Sequence, residues 1–301
     1  MAPRSGKYGA RPGGSSGRLA SGRRGGYGPV IDPVIDLALV GGGRMGEALL
    51  SGLLASRPDP SRLAVVEVDP SRRQALAAAH PGVRIEVEVP ATRAAVVAVK
   101  PVDVEGAARA VAAAGAVRLL SIAAGVTTSR IERWAPGVAV VRAMPNTPAL
   151  VGAGASAVAA GASAGPEDET WAAGVLAAVG TVVVVPEALL DAVTGLSGSG
   201  PAYVFLVAEA LINAGVAAGL PRDQSVALTV QTVLGAGRLL AELGQSPEEL
   251  RAMVTSPGGT TAAAVAVLEE RGVRSAFEAA VAAATARSRE LGAAGANGYR
   301  S

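Results

Sequence analysis

The sequence predicts an α/β fold in its first part and an all-helical fold in its second. Three observations carry this. Short apolar runs alternate with amphipathic stretches between residues 35 and 186, the pattern of parallel strands joined by crossover helices. The turn GGGRMG (41–46) stands between the first apolar run and the first helical one. From Glu187 onward the short runs cease, and long apolar segments jointed by Pro and Gly follow.

DLALV (36–40) is the first strand, and EALLSGLLAS is the helix after the glycine turn. LAVVEV (63–68) is the second strand. The helix PSRRQALAAAH follows, with Pro70 in its first turn, where a missing N–H costs nothing. RIEVEV (84–89) is a short third strand, and AAVVAV (94–99) is a buried one ended by Lys100-Pro101. DVEGAARAVAAAG is helical, RLLSIAA (118–124) a strand, TTSRIERWA a short helix, and VAVVRAM (138–144) a strand running into PNTPALVGAG. GASAVAA and TVVVV (181–185) finish the sheet; between them the helix PEDETWAAGVLAAVG carries acids in its first turn, which suits the helix dipole. Beyond Glu187, five helices are expected: GPAYVFLVAEALINAGVAAGL, PRDQSVALTVQTVLGAGRLLAEL, SPEELRAMV, the run after SPGGTT, and VRSAFEAAVAAATARSREL.

The boundaries follow: a tail at 1–34, an α/β domain at 35–186, a helical domain at 187–292 and a short tail at 293–301. The first 28 residues hold nine glycines and six basic residues without one acid. No apolar stretch of the kind a secretory signal needs follows them, so a disordered tail or a misplaced start explains them.

Composition closes several routes. Half the residues are apolar, but only two Phe, two Trp and four Tyr are present, so the core is built from Ala, Val and Leu. Such side chains bury little area each, and oligomerisation adds burial. The absence of cysteine excludes disulfides, thiolate catalysis and zinc–cysteine sites. The single histidine, His80, stands at a helix end and reads as a surface residue; with no second histidine, no metal site is expected. A net charge of +2 gives no nucleic-acid footprint. AGVLAAVGTVVVVPEALL comes nearest to a membrane span, and Gly180 and Pro186 break it.

Gly41, Gly43 and Gly46 match G-x-G-x-x-G in the strand–helix setting that gives the motif its meaning, a Rossmann-type dinucleotide site. The first glycine permits the tight turn. The second lets the backbone approach a pyrophosphate, and the third lets helix and sheet pack closely. Arg44 and Met45 lie inside this loop, at the helix N-terminus that faces the phosphates. Glu67, near the end of the second strand, is placed to accept from a ribose 2′-hydroxyl, which favours NAD. Arg72, Arg73 or Arg44 would instead hold a 2′-phosphate, and the sequence leaves both choices open. Val99, Lys100 and Pro101 end the fourth strand on the edge where ligands of such sheets bind; Lys100 either contacts the ribose or reaches solvent. The prolines around Asn146 in MPNTP hold its amide either near the nicotinamide or substrate, or in a rigid interdomain link.

An alcohol-oxidising dinucleotide enzyme needs a side-chain base, often Lys, His or Tyr. The helix starting at 201 has no lysine, and Tyr203 is the one acid–base candidate in a site-like position. This scarcity suits a substrate that arrives ready for hydride, such as a protonated imine. Its carboxylate wants backbone N–H groups at a helix N-terminus, and its ring nitrogen wants a hydroxyl oxygen. SPGGTT (256–261) offers both: Ser256 to cap a helix, Pro257 in its first turn, Gly258 and Gly259 to expose N–H groups, and Thr260 and Thr261 for hydroxyls. LSGSGPAY (196–203), with Ser197 and Ser199, reads as a second loop-to-helix start of the same kind.

These motifs, with VKP, SIAAGV (121–126) and RAMPNTPALVGAG (142–154) in order, make residues 37–292 resemble the pyrroline-5-carboxylate reductase family. The resemblance implies a Rossmann domain holding NADPH or NADH, with NADPH the commoner choice among bacterial members. It implies an all-helical dimerisation domain, and dimers that assemble further, up to a decamer. The implied reaction carries hydride to C5 of 1-pyrroline-5-carboxylate, giving L-proline, in the cytoplasm and without nucleic-acid or membrane partners. The loop matching Ser256, Gly258 and Gly259 holds the substrate carboxylate in this family, and the threonine matching Thr261 hydrogen-bonds the ring nitrogen. Three features depart from the family pattern: Arg44 replaces an Asn-like residue, Glu67-Val68 replaces a small polar residue followed by Arg, and the tail before Ile35 has no counterpart. A β-hydroxyacid dehydrogenase of the same two-domain plan would need a lysine early in the long helix. A non-enzymatic dinucleotide-binding scaffold would have no use for MPNTP and SPGGTT together.

Overall fold

The computed structural model describes residues 35–56 and 59–294. The tail expected at 1–34 lies outside the described residues. Of the tail expected at 293–301, the first part continues the last helix to Ala294.

The first part of the described chain contains strands β1 (Ile35–Val40), β2 (Leu63–Val66), β3 (Arg84–Glu86), β4 (Thr92–Val97), β5 (Arg118–Ser121), β6 (Ala139–Met144), β7 (Gly154–Ala160) and β8 (Gly180–Val184). Between them run α1 (Arg44–Ser56), α2 (Pro70–Ala79), α3 (Val104–Ala113), α4 (Thr128–Trp134) and α5 (Pro166–Leu176). The strands form one sheet in the order β3-β2-β1-β4-β5-β6-β7-β8. Alternation along β1 sends Leu37 and Leu39 to one face and Ala38 and Val40 to the other. The first face packs beneath Leu49, Leu50 and Leu53 of α1 and Leu176 of α5; the second packs beneath Val104, Ala108 and Val111 of α3 and Ile131 of α4. Each fully buried Leu or Ile contributes about 1.5–3 kcal/mol of apolar burial.

The sheet is not wholly parallel, as the strand–helix alternation suggested. β7 runs antiparallel to β6, Met144 facing Ala157 and Val141 facing Ala160. Residues 145–153 connect them through a 3₁₀ turn and Gly152 at φ +72°, too short a path for a parallel crossover. Several strands also stop early: β2 ends at Val66, and of the two residues after it Glu67 still donates its N–H to the Glu86 carbonyl of β3 (3.0 Å). No helix joins β3 to β4; residues 87–91 make that crossing as irregular chain.

The second part holds α6 (Leu190–Val193), α7 (Gly200–Ala217), α8 (Arg222–Glu242), α9 (Pro247–Met253), α10 (Thr260–Glu270) and α11 (Val273–Ala294). All five expected helices are present. The expected loop at LSGSG is not a loop: Thr194–Gly198 is a π-helical stretch that joins α6 directly to α7. A π turn absorbs an extra residue without ending the helix. α11 packs close against it: a Cβ at Gly195 would strike Thr285 Oγ1 and the Val281 carbonyl, so glycine is required there. Residues 187–217 thus form one helix long and apolar enough, by length and composition, to cross a bilayer. The broken run around Gly180, which came nearest to a span by sequence, instead contains strand β8.

The two parts join through half-buried polar contacts. Glu187 accepts from the Thr128 N–H (2.8 Å), the Thr128 hydroxyl (2.7 Å) and buried Arg142 on β6 (3.2 Å). Within the second part, Ser288 of α11 donates to Asp191 of α6 at 2.6 Å. Beyond this junction burial is sparse: α7 and α10 contain no buried residue, and α8 buries only Ser225 and Thr229.

Candidate functional site

The glycine turn follows from local sterics. Gly41 sits at φ +107°, and a Cβ there would lie 2.6 Å from the Ala98 carbonyl oxygen. A Cβ at Gly46 would strike the Gly41 carbonyl, and one at Gly42 would lie 2.5 Å from Leu76 Cδ1. Gly43 differs: nothing lies within 4 Å of the Cβ it lacks, and it is exposed. Three glycines therefore fold the turn, and Gly43 keeps open space in front of the N-terminus of α1. A pyrophosphate fits that space, because the first-turn N–H groups of a helix lack intrahelical acceptors. Arg44 is exposed there and has no side-chain partner among the described residues.

Two cavities flank the turn. One, of about 300 Å³, is lined by Met45, Ala98, Val99 and Pro101 on one side and by Ile122, Ala123, Ala124, Met144 and Pro145 on the other. It lies where β4, β5 and β6 end, and every lining side chain is apolar. The larger, of about 700 Å³, lies between the ends of β2 and β3 and the small-residue face of α3, with Val66, Val68, Glu88, Val99, Asp103 and Ala107 in its wall. The helix-free crossing at 87–91 leaves this part of the sheet uncovered.

Of the residues singled out from the sequence, Met45, Val99 and Pro101 line the smaller cavity, and Val99 also lines the larger. Lys100 is exposed and lines neither. Met144 and Pro145 belong to MPNTP and Ile122 to Ala124 to SIAAGV, both quoted from the sequence without a cavity role; Ala98 and the β3–β4 segment around Glu88 were not singled out. Taking the residues that directly follow each strand would have found most of them.

A polar cluster braces the turn from outside. Glu67 accepts from the Gly42 N–H through Oε2 (3.0 Å) and from the Asp69 N–H through Oε1 (2.9 Å). Arg72 donates to the Gly42 carbonyl (2.7 Å) and to Glu47 (2.6 Å). Arg73 donates to the carbonyls of Glu67 (3.1 Å) and Val68 (2.7 Å). The Arg72 hydrogen bond, aided by His80, holds the Glu47 carboxyl below its ordinary value despite partial burial. His80 is therefore not the surface residue expected: it caps α2, its side chain is only 12% exposed, and Nε2 lies 3.3 Å from Glu47.

Asn146 uses both ends of its amide within the chain. Its Nδ2 donates to the Ser197 carbonyl (3.0 Å), and its Oδ1 accepts from the Ala155 N–H (2.8 Å). Of the two sequence readings, this geometry favours the rigid link. Tyr203 donates to the Gly195 carbonyl at 2.9 Å, satisfying an acceptor freed by the π turn, so its hydroxyl is a structural strut rather than a free acid. The N–H of Ser199 is bonded to the Thr194 carbonyl (2.8 Å), and Ser197 donates its hydroxyl to the Val193 carbonyl (3.2 Å), so LSGSG offers no second anion-binding helix start.

SPGGTT forms a turn of its own. The Gly259 N–H donates to the Ser256 carbonyl at 3.0 Å, with Pro257 and Gly258 (φ +71°) between them, the residue pattern of a type II turn. Ser256 does not cap the helix as expected; Gly259 is the N-cap, and Thr260 and Thr261 open α10. Ser256, Pro257, Gly258 and Thr260 are exposed, and none of 256–261 lines either cavity.

Comparison with known proteins agrees with this geometry. The family described as pyrroline-5-carboxylate reductase dimerisation matches residues 187–291, and the family described as NADP oxidoreductase, coenzyme F420-dependent, matches residues 36–125. A pyrroline-5-carboxylate reductase from Synechocystis is 47% identical over 265 residues, covering 86% of this chain and 98% of its own. One from Mycobacterium leprae is 43% identical, covering 87% and 98%. The solved pyrroline-5-carboxylate reductase of Coxiella burnetii superposes with a TM-score of 0.81 at 36% identity, covering 85% and 98%. The Plasmodium falciparum pyrroline carboxylate reductase, solved with NADP bound, does so with a TM-score of 0.73 at 28% identity, covering 86% and 98%. The chain belongs to the pyrroline-5-carboxylate reductase family, NAD(P)H-using oxidoreductases that act on a C=N bond.

Proposed function

We propose that this chain reduces 1-pyrroline-5-carboxylate to L-proline as a homodimer in which one copy's SPGGTT turn faces the other copy's strand-end cavity. The observation that carries the reading is the cavity lining. Met45, Ala98, Val99, Pro101, residues 122–124, Met144 and Pro145 present no titratable side chain. A hydride acceptor seated there must arrive already protonated, as a cyclic iminium does.

When bound, the reduced dinucleotide supplies the hydride. Gly41, Gly43, Arg44, Met45 and Gly46 would hold its pyrophosphate, Val66, Val68, Glu88 and Ala107 its adenosine, and Val99, Pro101 and Met144 its nicotinamide. The apolar walls exclude water from the reacting carbon. The type II turn at Ser256 to Gly259, with the N-terminal N–H groups of α10, orients the substrate carboxylate. The Thr261 hydroxyl accepts the ring N–H hydrogen bond and keeps C5 pointed at the cavity. Hydride bonds to C5, the C=N π pair moves onto nitrogen, and the ring's positive charge is discharged. Positioning and electrostatic complementarity, rather than proton transfer by a side chain, supply the rate.

The dimer reading is supported by the exposed apolar surface of α7 and α8, where Phe205 is 62% and Leu206 66% exposed, and by the dimerisation family that spans it. A second copy covers this surface, which accounts for the apolar character of residues 187–217 without a bilayer. Further assembly to a decamer, a cytoplasmic location, and the absence of nucleic-acid and membrane partners belong to the same proposal. Sedimentation velocity measures the assembly. The activity test uses the purified full chain with 1-pyrroline-5-carboxylate and reduced cofactor; no cofactor oxidation above the enzyme-free rate overturns the reading.

A further inference from the structure

We infer that Glu67 makes this chain select the dinucleotide with a free 2′-hydroxyl, NADH, over NADPH. The inference rests on the dinucleotide reading above and adds the identity of the selecting group. The adenosine ribose is bonded to adenine on one side and to the pyrophosphate on the other. It must therefore lie between the larger cavity, whose wall includes Val66 and Val68, and the glycine turn. Glu67 stands at that junction, directly after β2 and half-buried.

Its carboxylate is held in place rather than free to swing. The Gly42 N–H fixes Oε2 at 3.0 Å, and the Asp69 N–H fixes Oε1 at 2.9 Å. Each carboxylate oxygen keeps acceptor capacity beyond one hydrogen bond, so a ribose 2′-hydroxyl can donate to it. A 2′-phosphate has nothing to donate there and brings like charge against an immobile anion.

Two of the three cations that would rescue a 2′-phosphate are held by contacts within the chain. Arg72 clasps the Gly42 carbonyl and Glu47. Arg73 closes on the carbonyls of Glu67 and Val68. Arg44 stands on the glycine turn, on the pyrophosphate side. The next residue on the β2 side is Val68, 76% exposed, which puts an apolar side chain at the rim where a phosphate needs a donor. The inference sets this chain apart from the Plasmodium falciparum relative, whose structure holds NADP.

The test is direct titration of NADH and NADPH into the full-length protein without substrate, at fixed ionic strength, for the native chain, Glu67→Gln, Glu67→Ser and Arg73→Ala. NADH should bind the native chain about tenfold or more tighter than NADPH. Glu67→Gln retains an acceptor for the Gly42 N–H while removing the charge. Its amide group gives up the bond from the Asp69 N–H, so it should lower the melting temperature somewhat while raising NADPH affinity several-fold, and Glu67→Ser should shift the ratio further the same way. NADPH binding as tightly as NADH, with turnover intact, overturns the inference and leaves the reductase reading standing. Equal loss of both cofactors in both Glu67 variants overturns it too, because Glu67 then only braces the turn. Selective loss of NADPH in Arg73→Ala overturns it by identifying a phosphate clamp. Failure of both cofactors to bind overturns the inference together with the dinucleotide reading.

Discussion

Replacing Gly41 and Gly43 separately by alanine distinguishes the glycine that folds the turn from the one that leaves room for a ligand. At Gly41 the backbone has φ +107°, a region that an L side chain enters at a cost of roughly 1–2 kcal/mol. The new Cβ would also lie 2.6 Å from the Ala98 carbonyl oxygen and 3.1 Å from Val99 Cγ1. The first neighbour is backbone held by a bond from the Ala98 N–H to the Val40 carbonyl (2.8 Å), so it yields only by disturbing the β1–β4 ladder. Overpacking of this kind adds about 1–3 kcal/mol. Gly41→Ala should therefore lose about 2–5 kcal/mol of stability. Gly43→Ala meets no atom within 4 Å, and its φ is not in the left-handed region. It should leave stability unchanged or raise it by about 0.4–1 kcal/mol through the unfolded chain, yet weaken dinucleotide binding about tenfold or more, or about 1.4 kcal/mol. Urea unfolding followed by circular dichroism, at one fixed protein concentration because self-association shifts apparent stability, measures the first quantity; cofactor titration of the folded variants measures the second. A Gly41→Ala variant within 1 kcal/mol of the native chain would refute the steric argument. A Gly43→Ala variant that binds cofactor normally would refute the phosphate cradle.

Thr261→Ala should lower kcat/KM for pyrroline-5-carboxylate about 5- to 150-fold, the worth of one hydrogen bond to a charged group, while cofactor affinity stays near native; equal loss in both would remove its substrate role. Phe205→Asp with Leu206→Asp, which alters side chains buried nowhere within one copy, should yield a folded monomer by light scattering with little turnover. A dimer that persists with full activity would move the interface elsewhere. The depressed Glu47 carboxyl stabilises the native state above its ordinary value of 4.5, and that advantage disappears as pH falls from there through the lowered folded value. Melting temperatures of the native chain and Glu47→Gln should accordingly differ at neutral pH and converge in acid; a constant gap would show that the Arg72 and His80 contacts do not set it.

Local requirements were readable from the residues. A strand, three glycines with fixed spacing and a helix define the turn at 41–46, because glycine's missing Cβ and free φ are demanded within a few residues. Alternation in DLALV and the Pro-started helices after Glu187 were legible for the same reason. The SPGGTT turn was recognisable as a helix start, although its N-cap moved to Gly259, since the Pro257-Gly258 pair closes a turn before the helix opens.

Contacts between distant residues were not readable in this way. Glu67 meets Gly42 across 25 positions, and Asn146 meets Ser197 across 51, so each residue's acceptors and donors depended on which strands became neighbours. Gly195 in the π turn at Thr194–Gly198 meets Val281 and Thr285 of α11, far along the chain. The apolar cavity exists because β4, β5 and β6 end side by side. The sequence by itself determined the order of elements, the dinucleotide turn and the imine-type chemistry, because backbone propensity and the inventory of titratable side chains are local properties. Only the tertiary structure decided the reversal of β7, the structural employment of Asn146 and Tyr203, and the fixed carboxylate of Glu67. Those depend on long-range packing, which brings together groups whose spacing along the chain carries no signal.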